Sequence, residues 1–164
     1  MLNHRIKTIL LPSLTRLAFG GLLIIFLLIL YGCKASPEPI NYGHDECEFC
    51  RMLITDNRYG SEIVTDKGKV FKFDEAGCMI DYAMVKNFIG DANQKFLVTD
   101  FPTPETFIDA TAAFYVENEN FRSPMGLNVM AFDSEISRQK FVAESGGRLL
   151  NWVDVIELVK QRSM

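Results

Sequence analysis

The segment before Cys33 constrains this chain most, because it decides which residues can take part in the folded protein. Residues 1–16 carry three basic side chains and no acidic one, and residues 17–30 are uncharged and mostly apolar. Gly32 then precedes Cys33 directly. A basic start, an apolar stretch and a small residue before the cut are typical of a secretory signal, which is removed and does not fold.

The cysteine at the cut predicts lipidation. A cysteine directly after the small residue is typical of a bacterial lipoprotein signal, so we expect cleavage before Cys33 and lipid attached to its amine and thiol. The protein would then be anchored to a bacterial membrane, outside the cytoplasm and facing the periplasm. The alternative is a transmembrane anchor, but a span needs about 20 apolar residues, and the stretch 17–30 is shorter.

The charge of the remaining chain argues against two classes of partner. Removal of residues 1–32 leaves 132 residues, enough for one ordinary domain or two very small ones that share a core. These residues include 14 Lys or Arg and 21 Asp or Glu, a formal charge near −7. This charge argues against binding to nucleic acid and against adhesion to anionic lipid. It would suit a cationic partner or metal delivery, although many extracytoplasmic proteins are simply acidic.

The chain after the signal divides into a tether and two units. Residues 33–46 hold two prolines, a glycine and several charges, which is typical of a flexible, here lipidated, tether. The first unit, residues 47–104, is expected to hold a hairpin, a helix and a further strand. We expect strands at 61–65, 70–73 and 95–100, and a helix from Glu75 to about residue 88 that is capped by Asp74 and ended by Gly90.

The second unit, residues 105–164, repeats this order of elements. We expect strands at 112–116, 127–132 and 148–150, and helices at about 134–145 and 152–162 that are capped by Asp133 and Asn151. The sequence therefore predicts an α+β fold of two small related strand-strand-helix-strand units packed together. A single α+β sheet with helices on one face is the alternative.

The counts of sulfur and imidazole side chains favour soft metal chemistry. Three cysteines follow Cys33, an odd number, whereas disulfide frameworks usually use even numbers. The same part of the chain has six methionines and a single histidine, His44. Several thiols and thioethers beside a single histidine favour a soft metal ion over a hard one.

Cys47, Cys50 and Met52 form the densest cluster of possible ligands. A C-x-x-C pair alone fits a zinc site, a redox dithiol or half of a soft-metal site. In an extended segment Met52 shares a face with Cys50, and thiolate with thioether favours copper(I) over zinc or iron. Two alternatives stay open: a zinc site made by His44, Cys47, Cys50 and Cys78, and a redox dithiol made by Cys47 and Cys50.

Cys78 and Met125 are the candidates elsewhere in the chain. Cys78 falls in the first turn of a predicted helix, where the helix dipole favours the thiolate; the alternative is a buried structural cysteine. Met125 lies between proline and glycine on a predicted loop, where packing explains a methionine poorly. A Ser-His-Asp triad is not expected, because the one histidine after Cys33 lies in the tether.

Taken in order, these motifs resemble the nitrous oxide reductase accessory lipoproteins, the NosL family. That family combines a lipoprotein signal with C-x-x-C-x-M, F-D-x-x-G-C-M and P-M-G stretches, which stand here at residues 47–52, 73–79 and 124–126. The resemblance implies two small related α+β units. It also implies a membrane-tethered copper(I) chaperone that acts with the maturation machinery of nitrous oxide reductase to build the copper–sulfide centre of that enzyme.

The resemblance also assigns candidate ligands. It puts the key cysteine at Cys50 and the key methionine at Met125, with Met52 and Cys47 as further ligands and the role of Cys78 open. Some relatives carry glycine where this chain has Arg51. We therefore predict a copper delivery protein that is not an enzyme. The alternatives are an extracytoplasmic thiol–disulfide oxidoreductase and a zinc-stapled interaction module.

Overall fold

The computed structural model describes residues 36–162, which form two antiparallel sheets and three α-helices. The first sheet has the order β2-β1-β3-β4 and consists of β1 (Ser61–Thr65), β2 (Val70–Phe73), β3 (Gln94–Thr99) and β4 (Phe107–Asp109). The second has the order β6-β5-β7 and consists of β5 (Phe114–Glu117), β6 (Val129–Phe132) and β7 (Arg148–Leu150). The helices are α1 (Ala76–Lys86), α2 (Glu135–Ser145) and α3 (Trp152–Arg162).

The β1–β2 hairpin forms because its two short strands carry apolar side chains on the same face. Ile63 on β1 lies opposite Phe71 on β2, and both are buried. The turn between the strands needs a residue with positive φ, which Gly68 supplies at 82°. Its N–H donates to the Thr65 carbonyl at 3.0 Å. The predicted bounds of both strands are confirmed.

The two halves of the chain share one topology. In each half, two antiparallel strands are followed by a helix, and the next strand pairs with the free edge of the first strand. This arrangement gives β2-β1-β3 and β6-β5-β7, so the predicted α+β fold of two related strand-strand-helix-strand units is confirmed. β4 has no counterpart among the predicted elements. It extends the first sheet beyond residue 104, and the division into domains at that residue stays a prediction.

One apolar core runs through both halves. Ile63 of the first half and Tyr115 and Val155 of the second are fully buried members of the same cluster. The main chain also joins the halves, since the Phe101 N–H donates to the Ala131 carbonyl at 2.8 Å. Loops that are distant in sequence can therefore meet at one place on the molecule.

Helix α1 differs from the prediction at both ends. Glu75, not Asp74, occupies the N-cap position, and within the described residues its side chain makes no capping hydrogen bond. Asp74 instead accepts a hydrogen bond from the Cys50 thiol at 3.6 Å. At the other end the helix stops at Lys86, because Asn87 adopts φ 57° and its N–H closes the last turn. Gly90 therefore does not end the helix.

The other two helices begin at capping residues of the expected types. The Ser134 hydroxyl, not Asp133, caps α2 by accepting the Ser137 N–H at 3.3 Å. Asn151 is confirmed as the cap of α3. Its Oδ1 accepts the Asp154 N–H at 3.1 Å, and Asp154 Oδ2 accepts the Asn151 N–H at 2.8 Å. This reciprocal pair is a capping box, which satisfies main-chain donors that would otherwise lack partners.

The chain packs onto the first sheet earlier than expected. Ile40 is buried in the core, so ordered packing begins before Cys47. Lys72 on β2 fixes this segment, because its ammonium donates to the Pro39 carbonyl and to Asp45 Oδ2, each at 2.8 Å. These contacts leave a shorter stretch between the domain and Cys33 than the predicted tether.

The predicted signal, residues 1–32, and the predicted lipidation site, Cys33, lie outside the described residues. Within residues 36–162, no helix has the length and apolar character needed to cross a membrane.

Candidate metal centre

Three thiols and one carboxylate converge at one end of the first sheet. One ligand atom from each of Cys47, Cys50, Asp74 and Cys78 lies within 4.8 Å of the others. The two cysteines of the C-x-x-C pair come from the loop before β1, Asp74 follows β2, and Cys78 lies in the first turn of α1. The structure therefore joins the first and second sequence motifs into one cluster, which we call the thiol cluster.

The loop that carries Cys47 and Cys50 is closed by its own main chain. The Cys47 N–H donates to the Met52 carbonyl at 2.8 Å, and the Arg51 N–H donates to the Cys47 carbonyl at 3.0 Å. This tight loop requires a left-handed conformation at Arg51, with φ 64°. Glycine adopts that conformation without strain, whereas a residue with a side chain adopts it at a cost. The Arg51 side chain is exposed and forms an ion pair with Glu48 at 3.4 Å.

The three thiols differ in their tendency to ionise. The hydrogen bond from the Cys78 thiol lowers the pKa of Cys47 to about 6, which favours a Cys47 thiolate near neutral pH. The same hydrogen bond, together with burial, raises the pKa of Cys78 well above its usual range. Burial raises the pKa of Cys50 to about 11. Among the three thiols, that of Cys47 therefore loses its proton most readily.

Asp74 gives the cluster a carboxylate oxygen that could bind a metal ion. The residue is 1% exposed. Its Oδ2 accepts the Cys50 thiol, whereas its Oδ1 has no hydrogen-bond partner in the described part of the chain. A buried oxygen without a partner is costly unless something satisfies it. A cation held by the adjacent sulfurs would do so, and the residues present therefore fit a metal ion.

The two candidate thioethers lie on loops. Met52 and Met125 are 55% and 39% exposed, so both thioethers are accessible from solvent. Met52 belongs to the same closed loop as Cys50. The Met125 main chain is bonded to Glu75, the residue next to Asp74, through an N–H to Oε2 contact of 3.4 Å. Both assignments as metal ligands stay predictions.

The structure places Cys47 and Cys78 in the same cluster as Cys50, although the resemblance ranks both below Cys50. His44, the fourth residue of the predicted zinc site, is not part of the group. In the described structure all three thiols are free, so the geometry holds no disulfide. Sequence reasoning missed Asp74, which takes the fourth place. A signal was available, because an acidic pair directly precedes the helix that carries Cys78, but it was interpreted as a helix cap.

Comparison with known proteins agrees with this architecture. The NosL family model matches residues 40–159. A relative described as a copper-binding lipoprotein NosL, from Stutzerimonas stutzeri, is 27% identical over 167 residues and aligns with 92% of this chain and 87% of its own length. A crystal structure described as the copper chaperone NosL from Shewanella denitrificans superposes with a TM-score of 0.60 at 22% identity. It covers 73% of this chain and 95% of that chain, which shows a shared fold.

Proposed function

Since this chain belongs to the NosL family, we propose that it is a membrane-tethered copper(I) chaperone that delivers copper for the copper–sulfide centre of nitrous oxide reductase. The observation that carries the proposal is the thiol cluster, in which Cys47, Cys50 and Cys78 meet within 4.8 Å. Soft thiolates select copper(I) over harder divalent ions. Copper is the cargo of such a protein, and the chain itself catalyses no reaction.

The exposure of the thiols suits delivery. Cys47 and Cys78 are buried, and Cys50 is half-buried, so Cys50 is the thiol that an acceptor can approach most easily. Met52 on the same loop and Met125 on the second unit add exposed thioethers. Copper(I) accepts few ligands and exchanges them readily. A client thiolate or imidazole can therefore replace one ligand at a time, and copper(I) moves without release as a free ion.

The tether and the client complete the proposal. A lipid on Cys33 would hold the chaperone at the membrane, on the periplasmic side, beside the maturation machinery of nitrous oxide reductase. Copper(I) is short-lived as a free ion outside the cytoplasm, so a centre built from it needs a carrier. Two observations support a lipid anchor on Cys33. One relative is described as a lipoprotein, and this chain has a lipoprotein signal.

Copper(I) titration of the full-length protein in detergent tests the metal site. We expect one copper(I) per chain, measured by competition with a coloured copper(I) chelator under anaerobic, reducing conditions. Cys50→Ser and Met125→Leu should each bind more weakly than the parent. If Met125→Leu binds as tightly as the parent, the thioether must come from Met52 instead.

A deletion strain tests the client. The reductase from a host without this protein, grown at low copper, should be folded and exported but should lack its copper–sulfide centre. Its other copper centre, which uses ordinary cysteine and histidine ligands, should be affected much less. The metal content and the optical bands of the two centres measure this difference. Full activity with both centres filled would contradict the delivery proposal.

A zinc-stapled module is the second candidate, because three cysteines and Asp74 supply four donors, the number that zinc takes in structural sites. Tight stoichiometric zinc in protein purified without added metal, with copper(I) unable to displace it, would favour that function. A thiol–disulfide oxidoreductase is separated by a turnover assay with insulin as the disulfide substrate. We expect no turnover, because delivery requires the thiols to remain reduced.

A further inference from the structure

The turn that carries Met125 is held from two sides by charged side chains. The Gly126 N–H donates to the Ser123 carbonyl at 3.0 Å, which closes a four-residue turn with Met125 near its tip. Glu75 Oε2 accepts the Met125 N–H at 3.4 Å. On the opposite side Arg162 Nη2 donates to the Met125 carbonyl at 3.0 Å. The main-chain N–H and carbonyl of Met125 are therefore each bonded to a side chain from another part of the fold.

Glu75 ties this turn to the thiol cluster. The residue is 2% exposed and also accepts hydrogen bonds from the Ser123 hydroxyl and the Leu127 N–H. It occupies the N-cap position of α1, directly after Asp74 and three residues before Cys78. The Glu75 carboxyl group does not cap its own helix, and its oxygens accept hydrogen bonds from the turn instead. One residue thus links the loop of the second unit to the segment that carries two members of the thiol cluster.

Gly77 makes room for this use of Glu75. A Cβ atom at position 77 would lie 2.8 Å from Glu75 Oε1, closer than such atoms approach in real structures. The atom in conflict is the end of a flexible side chain, so the helix can keep an alanine there but the carboxylate must move. The glycine of the F-D-x-x-G-C-M stretch therefore permits the contact between Glu75 and the turn.

Arg162 holds the turn from the last turn of α3. It lies beyond residue 159, where the match to the family model ends. Arg162, Met125 and Glu75 are among the residues that line a cavity of about 160 Å³ between the turn and the helices. Asn128 fixes the base of the turn at Ser123, whereas Glu75 and Arg162 bond the main chain of Met125 itself.

We propose that Glu75 and Arg162 are positioning residues that hold Met125 for copper(I), and that Gly77 is required for the Glu75 contact. The inference rests on the proposed function, since it concerns the thioether ligand of the same site. A thioether on a restrained turn loses less conformational freedom when it binds the ion, so restraint increases affinity. Release of one clamp should weaken copper(I) binding by about fivefold, the size expected for one hydrogen bond.

Gly77→Ala is the sharpest test, because it displaces the Glu75 carboxylate without removing a charged or ligating side chain. Alanine is a better helix residue than glycine, so α1 should still form, and the circular dichroism spectrum of the full-length variant in detergent should match that of the parent. Its copper(I) affinity, measured by chelator competition, should nevertheless fall by about fivefold. Arg162→Ala should show a similar loss of affinity. Gln161→Ala, at the neighbouring exposed position of α3, is the matched control and should bind as the parent does.

A double-mutant comparison separates positioning from a general effect. In a Met125→Leu background, Gly77→Ala and Arg162→Ala should weaken copper(I) binding no further, because the restrained thioether is already gone. The inference is overturned if Gly77→Ala and Arg162→Ala reduce copper(I) affinity equally with and without Met125. It is also overturned if both single variants bind copper(I) as tightly as the parent while Met125→Leu binds it weakly. If Met125→Leu binds as the parent does, the thioether assignment of the proposed function fails instead.

Discussion

The buried carboxyl of Glu62 predicts how the free energy of unfolding depends on pH. The residue is fully buried on β1, opposite Lys72 on β2. Its Oε2 accepts the Glu38 N–H at 3.3 Å, and its Oε1 has no hydrogen-bond partner among residues 36–162. Burial raises the pKa of this carboxyl from its ordinary 4.5 to about 7. Ionisation of Glu62 is therefore more costly in the folded protein than in the unfolded chain.

The magnitude follows from the two pKa values. A tenfold change in proton affinity corresponds to about 1.4 kcal/mol, so a change from 4.5 to about 7 amounts to about 3 kcal/mol. Between these pH values the folded state keeps the proton and the unfolded state loses it. The contribution of Glu62 to the free energy of unfolding is therefore fully favourable below pH 4.5 and is lost as the pH rises to 7. Glu62→Gln keeps the shape and removes the titration.

We therefore expect the stability difference between Glu62→Gln and the parent to grow by about 3 kcal/mol in favour of the variant between pH 4.5 and pH 8. Urea unfolding followed by the fluorescence of Trp152, the only tryptophan, measures it. The Cys47 thiol titrates in both proteins and cancels in the difference. The exposed Glu119→Gln serves as a control and should show no such trend. A difference that stays constant with pH, or that turns against the variant at pH 8, would refute the reasoning.

Four further outcomes are expected. Because burial raises the pKa of Cys50 to about 11, copper(I) must displace its proton, and affinity should rise about tenfold for each pH unit between pH 7 and 9. Chelator competition measures this slope, and a rise of about a hundredfold for each pH unit would indicate a second displaced proton and add Cys78 as a ligand. Asp74→Asn should weaken zinc binding by more than about tenfold and copper(I) binding by less than about threefold, since carboxylate prefers harder ions. Parallel titrations with the two metals measure both affinities. Arg51→Val should lower the free energy of unfolding by about 1–2 kcal/mol, because φ is 64° there, whereas Arg51→Gly should change it little; thermal unfolding compares them. Cys33→Ala should leave the precursor unlabelled by a metabolic lipid probe, and labelling equal to the parent would exclude lipidation at that residue.

Most of the secondary structure was predictable, because short-range patterns determine it. The bounds of β1 and β2 follow from alternating apolar side chains and a glycine turn, and those of α3 follow from the Asn151 cap. Repetition of the same order of elements predicts the two-unit α+β fold. The errors lie where long-range contacts compete with local preferences. Asp74 is an acceptable helix cap by local rules, but its carboxylate bonds a thiol 24 positions away.

The candidate site was predictable in its parts but not in its assembly. The sequence by itself determined which side chains are candidates for soft-metal ligands, since Cys47, Cys50 and Cys78 stand out by residue type and spacing alone. Only the tertiary structure decided that all three meet at one point and that Asp74 joins them, because the segments are brought together by the hairpin and helix α1. Likewise, the clamp on Met125 uses Glu75, 50 positions away in the chain. Periodicity and spacing report only on neighbours within a turn or a strand, whereas these contacts depend on how the two halves share one core.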